Sequence, residues 1–186
     1  RAAAFAEPAQ LGTFAPLREV LRHLEEEQFI LFVSWCLAAL WPTGPYPILI
    51  VTGEAGSGKS TLVRLAQRLT DPIGGDLLQP PATDRDLIAA ARHNRVLAFD
   101  NISSMKPDLA DSLCRLATGS EIGGRSLYTN HDTATFAASR PVILNGIPDL
   151  ASRGDLADRS IVIRLDSLQT RVSEREWRAQ VDQILP

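Results

Sequence analysis

Apolar positions along this chain follow two spacings. Leu17, Val20, Leu21 and Leu24 recur at i, i+3, i+4 and i+7, which predicts an amphipathic helix. Phe29–Trp41 is almost wholly apolar and predicts a more buried helix, broken by Pro42-Thr43-Gly44-Pro45. Helical faces return at Leu62, Leu65, Ala66 and Leu69, at Leu87, Ile88 and Ala91, at Leu109, Leu113 and Leu116, and over Glu174–Ile184. Thr83 with Asp86 three residues on reads as a capping box for the second of these, and Pro107 opens the third. Between them lie short, continuous apolar runs at Tyr46–Thr52, Val96–Asp100, Pro141–Asn145 and Ile161–Leu165, with Asp76–Gln79 a further short strand. Near-continuous apolar strands separated by helices predict an α/β fold: a central, mostly parallel five-stranded sheet with helices on both faces, preceded by N-terminal helices. Residues 1–13 are expected to be a linker or frayed end, 14–45 a helical segment, 46–170 the core, and 171–186 a C-terminal helix leading to a missing region. Residues 119–136, rich in Gly and Thr, read as a hairpin or loop excursion.

Bulk composition narrows the class without deciding it. A chain of 186 residues, 45% hydrophobic and 22% charged, is expected to form one ordinary globular domain. A formal charge of −3 argues against a uniformly basic nucleic-acid coat, though not against a local basic loop. Cys36 and Cys114 form no motif and are expected to be buried, reduced thiols of a cytoplasmic protein. His23, His93 and His131 have no zinc-type spacing with them, so no structural metal is indicated. Phe29–Trp41 is shorter than the roughly 20 residues that a membrane span needs, and no membrane association is expected. The chain opens at Arg1 and closes in a helical pattern, as expected of a domain excised from a longer protein.

The chemistry is concentrated in Gly53-Glu54-Ala55-Gly56-Ser57-Gly58-Lys59-Ser60, a complete G-x-x-x-x-G-K-S loop, followed by Thr61. It joins a predicted strand to a predicted helix, the context in which backbone N–H groups wrap phosphates. Lys59 can reach the β- and γ-phosphates, and the Ser60 hydroxyl can take one position on Mg²⁺. The helix start adds its positive dipole end. Binding of a nucleoside triphosphate with Mg²⁺ follows; the family resemblance given below makes the nucleotide ATP.

Other polar residues stand at predicted strand ends, where ligands sit in parallel sheets. Asp100 ends one strand and can hold Mg²⁺ directly or through water; the alternative is a turn or cap aspartate. Asn101 follows it and can orient water, but an amide cannot act as a general base. Asp111 and Glu121 are unranked candidates for that base. Asn145 can hold the attacking water or the γ-phosphate, or simply cap the turn before Gly146. Arg153 or Arg159 can serve a neighbour's γ-phosphate, an action worth on the order of 10³–10⁵ in rate; ion pairing with Asp155 or Asp158 is the competing role.

The order of phosphate loop, Asp100, Asn145 and Arg159 resembles an AAA+ ATPase core. Gly-Arg-Ser-Leu-Tyr-Thr-Asn (124–130), Arg-Pro-Val-Ile-Leu-Asn-Gly-Ile (140–147) and Asp-Leu-Ala-Asp-Arg (155–159) are similar to phrases of superfamily 3 helicases and phage-type primase-helicase ATPases. The resemblance covers roughly residues 30–180. It implies a P-loop NTPase fold and an ATPase assembled as a ring, a hexamer in such families, acting on single-stranded DNA. It also implies a primase module in the same or a partner chain. Asn145 then matches the polar sensor and Arg159 the finger that acts in trans. The 119–136 hairpin falls where such helicases place a channel loop, with Arg125, Tyr128 and His131 able to meet phosphates and stack on bases; a solvated hairpin is the alternative. Asn101 departs from the acidic pair usual in the family, which predicts slow hydrolysis. The rival reading is an AAA+ switch or protein remodeller that never unwinds DNA.

Overall fold

A computed structural model describes residues 12–123, 135–136, 138–146, 154–167 and 173–184. Its centre is a parallel sheet in the order β2 (Leu97–Ile102), β5 (Val142–Gly146), β1 (Ile48–Gly53), β6 (Ser160–Leu165). The remaining strands, β3 (Ile122–Gly123) and β4 (Thr135–Phe136), pair antiparallel with each other, as the flanks of a hairpin would. Its interior, with Arg125, Tyr128 and His131, lies outside the described residues.

The central sheet has four strands, not the five expected. Residues 76–79 contribute only an isolated bridge, from Leu78 to Phe99. Leu78 N–H donates to the Ala98 carbonyl at 2.8 Å, and Asp100 N–H to the Leu78 carbonyl at 3.0 Å. Gly74-Gly75 before this segment and Pro80-Pro81 after it stop the ladder from extending, because proline has no N–H to donate.

Alternation along the strands divides the core in two. Leu49, Val51, Ala98 and Ile143 face one layer, made by α2 (Glu26–Leu40), α3 (Lys59–Thr70) and the short α1 (Ala15–Val20), with Val181 of α7 (Glu174–Ile184). Ile48, Ile50, Leu97, Phe99, Val142 and Leu144 face the other. That layer holds α4 (Asp84–His93), α5 (Pro107–Thr118) and the single turn α6 (Gly154–Ala157). The Thr83–Asp86 capping box forms at the start of α4. The helical pattern of residues 17–24 stops early: α1 ends at Val20, and Leu21 and Leu24 are buried from turns.

Trp35 anchors α2 on the sheet. It is fully buried and donates its indole N–H to the Pro47 carbonyl at 2.8 Å, tying the helix to the start of β1. Trp35→Ala is therefore expected to cost about 3–5 kcal/mol in a urea melt. Trp35→Phe, which loses the hydrogen bond but keeps most of the volume, should cost about 1–2 kcal/mol. Equal, small losses in both would contradict this anchoring role.

Candidate functional site

Parallel register brings the carboxyl ends of the strands together. Val51 pairs with Asn145 and Gly53 with Leu165. At Gly53 (φ +154°) an added Cβ would lie 2.4 Å from the Leu165 carbonyl oxygen, so only glycine lets the loop leave β1 this close to β6. The loop closes at Gly58, which is left-handed (φ 87°) and supplies no side-chain cap to α3. The first-turn N–H groups of α3 are thus left for a ligand. Lys59 folds back to donate to the Gly53 and Glu54 carbonyls at 2.8 and 2.6 Å. These are weak competitors for an ammonium that a phosphate would attract.

β2 approaches the loop through an irregularity. Phe99 pairs with Leu144 and Ile102 with Gly146, so two residues, Asp100 and Asn101, stand opposite the single Asn145. A bulge of this kind re-aims side chains. Asn101 takes the left-handed conformation (φ 57°), which asparagine tolerates, and is exposed. The Asp100 carboxylate turns inward and accepts from the Ser60 hydroxyl at 3.2 Å. The Asn145 amide donates to Ser60 Oγ at 3.0 Å and also to Asp100 Oδ1. Ser60, Asp100 and Asn145, read from three separate stretches of sequence, therefore meet at one point.

Two buried side-chain atoms among the described residues have no hydrogen-bond partner, Ser57 Oγ and Asn145 Oδ1, and both belong to this site. Buried polar atoms are rarely left so unless a ligand or water completes them. No cluster of three or more His, Cys, Asp or Glu occurs among the described residues. A cation here would need oxygens from a ligand, which is how Mg²⁺ is ordinarily held: one or two protein oxygens plus phosphates. Ser60 and Asp100 fit that requirement.

A cavity of about 930 Å³ opens beside Gly58 and Thr61. Its walls come from α1 and the turn after it (Val20, His23), from Gln28, from Leu165–Ser167, and from Trp177 of α7. Ser167 donates to the Glu54 carboxylate at 2.8 Å, linking this wall to the phosphate loop. Sequence reasoning missed the cavity, because its walls lie more than a hundred residues apart and share no local pattern.

The other expected site residues lie elsewhere. Ile48 N–H donates to the Arg159 carbonyl at 2.9 Å, so Arg159 stands at the opposite edge of the sheet from the loop. Five residues of β1 separate the two, about 17 Å. Arg159 is exposed, and its guanidinium donates to the Asp155 carbonyl at 2.9 Å. Asp111 lies on its side of the molecule: the Cys114 thiol, one turn along α5, feels both charges. Glu121 follows the C-terminus of α5, whose Ala117 carbonyl accepts from Tyr46 N–H just before β1, so it too is on the far edge. Arg153 lies outside the described residues.

Comparison with known proteins places the chain. Residues 18–186 match the family described as actinomycete integrative conjugative element replication protein. The chain belongs to that family of replication proteins. Its fold is that of the C-terminal region of NrS-1 (TM-score 0.61, 15% identity, 90% of this chain) and of JCV helicase (TM-score 0.56, 13% identity, 84% of this chain). It spans 42% and 44% of those chains. A 64-residue stretch is 38% identical to the methionine import ATP-binding protein MetN of Xanthomonas axonopodis pv. citri (strain 306), over 32% of this chain and 19% of that protein. The P-loop NTPase architecture expected of this replication protein is thus found in helicase structures. Among the described residues no helix is long and apolar enough to cross a membrane.

His23 gives this site a pH signature. Partial desolvation of a ring that keeps an exposed face, then the Arg18 and Arg22 charges, hold its pKa below the usual 6.5. The unfolded state then binds the extra proton first, so this group's contribution to stability falls as pH drops through 6.5 and below. NMR titration of the free protein should show His23 titrating below 6.5, and His23→Gln should flatten the acid side of the Tm–pH curve. A His23 pKa at or above 6.5 would contradict the arrangement.

Proposed function

We propose that this chain is the ATP-hydrolysing motor domain of a replication protein: a helicase-type AAA+ ATPase that works as a ring, of six subunits by the family resemblance, on single-stranded DNA. The observation that carries this reading is the meeting of Ser60, Asp100 and Asn145 at the mouth of a complete phosphate loop, in a chain of a replication-protein family. Mg-ATP would lie with its phosphates on residues 53–61, its metal on Ser60 and beside Asp100, and its base and ribose in the cavity near Trp177. Bound there, the metal would polarise the γ-phosphate and help neutralise developing charge. Lys59 would leave the loop carbonyls for the phosphates, and Asn145 would contact the γ-phosphate or attacking water.

Arg159 supports assembly rather than action within one chain, since it lies at the opposite end of β1 from its own loop. A head-to-tail contact that closes into a ring would set it on the next subunit's γ-phosphate. Arg153 is the alternative candidate for that finger. Arg125, Tyr128 and His131 would serve as the DNA-contacting loop. Asn101, exposed and unable to take a proton, favours slow turnover and keeps a second reading in play: a nucleotide-driven switch or remodeller indifferent to DNA.

Steady-state ATP hydrolysis should be stimulated by single-stranded DNA, and its rate per chain should rise with protein concentration. Lys59→Ala and Arg159→Ala should each be at least about a hundredfold slower. Mixed together, they should recover part of the rate, because some interfaces then pair an intact loop with an intact finger. Hydrolysis that ignores DNA would favour the switch, and a concentration-independent rate unaffected by Arg159→Ala would remove the ring.

A further inference from the structure

Asn145 is bonded where a metal ion would have to be. Its one amide nitrogen donates both hydrogens, to Ser60 Oγ at 3.0 Å and to Asp100 Oδ1, while those two oxygens lie 3.2 Å apart. Ser60 Oγ and the Asp100 carboxylate are the groups that the ATPase reading assigns to Mg²⁺, and the inference rests on that reading. A divalent cation and an N–H₂ group cannot share the same lone pairs: the amide hydrogens carry partial positive charge and are directed at oxygens that a cation would also need. The other end of the same amide, Oδ1, is buried and accepts nothing, in a residue that is 2% exposed. The side chain is thus held by its donor end alone.

We propose that the Asn145 amide and the metal are alternative occupants of the Ser60–Asp100 pair, making Asn145 a metal-operated positioning residue. With the site free of metal, the amide ties β5 to β2 and to the first turn of α3, which keeps the two oxygens paired and neutralises part of the Asp100 charge. Metal arriving with a nucleotide takes these oxygens and expels the amide nitrogen. Val51 pairs with Asn145 in the sheet, so the backbone is fixed and the released amide can turn only about its side-chain bonds. Its free N–H groups then face the ligand's terminal phosphate side of the loop. Nucleotide without metal leaves the amide where it is. The residue thereby distinguishes a metal-loaded nucleotide from a bare one before any hydrolysis occurs.

Three readouts of the protein as it stands test this. Side-chain amide protons of Asn145, assigned by triple-resonance NMR in the wild type, should move when Mg²⁺ is added to the ADP complex. They should hardly move when ADP is added in EDTA. In equilibrium binding, Asn145→Ala removes the competitor, so the Mg²⁺ concentration that half-saturates the ADP complex should fall roughly tenfold, the scale of a hydrogen bond to a charged group. A purely structural role would instead weaken ADP binding equally with and without metal. Asn145→Asp replaces the donor by a third oxygen and should bind Mn²⁺ without nucleotide, seen by EPR, where wild type does not. Amide protons indifferent to Mg²⁺, or an unchanged Mg²⁺ dependence in Asn145→Ala, would overturn the proposal. Failure of wild type to bind ADP under any condition would instead overturn the ATPase reading beneath it.

Discussion

The site depends on β1 lying between β5 and β6. Ile48 to Val51 are wholly buried there, with helices on both faces, and parallel pairing on each side leaves β1 no freedom to slide. A slip of one residue would turn Leu49 and Val51 out of the helical layer that holds Trp35 and Leu62, and Ile48 and Ile50 out of the other. Hydrophobic burial of alternate side chains thus sets the register, and the register sets which polar residues stand at the loop. Asn145 is opposite Val51 for the same reason that Ile143 is opposite Leu49.

From that constraint the molecule acquires two unlike edges. The carboxyl edge carries the phosphate loop, the inward carboxylate of Asp100, and a cavity between the first helices and the last. The amino edge carries Arg159, with Asp111 and Glu121 on the same side. Among the described residues the two edges are held apart by the length of β1, which is paired on both sides. Asn101, which follows Asp100 on the carboxyl edge, is exposed and carries an amide that cannot accept a proton.

How much of this was legible in the sequence varied with how local the cause is. The phosphate loop, the Thr83 capping box and Pro107 at the start of α5 are decided within a few residues, and they read directly. Asp100 and Asn145 could be placed at strand ends because a buried strand is a short apolar run with a polar stop. The bulge that aims Asp100 at Ser60 could not, since it exists only in the pairing of β2 with β5. Asp76–Gln79 has the apolar pair of a strand in Leu77 and Leu78, but the flanking Gly and Pro pairs permit one bridge. The cavity had no signature at all, because Val20 and Trp177 become neighbours only when α7 packs on the N-terminal helices. Arg125, Tyr128, His131 and Arg153 fall outside the described residues; the first three take their roles from the family resemblance and Arg153 from its place in the sequence before the last strand.

The central claim is that three strand ends form one nucleotide site whose phosphate grip is Lys59. Titration calorimetry of a slowly hydrolysed ATP analogue with Mg²⁺, into wild type and Lys59→Ala, tests it without any need for assembly or DNA. One molecule should bind per chain, and Lys59→Ala should weaken binding by about ten- to a hundredfold, the scale of hydrogen bonds from a charged donor. Equal affinity in the two proteins, or no binding to wild type, would contradict the account.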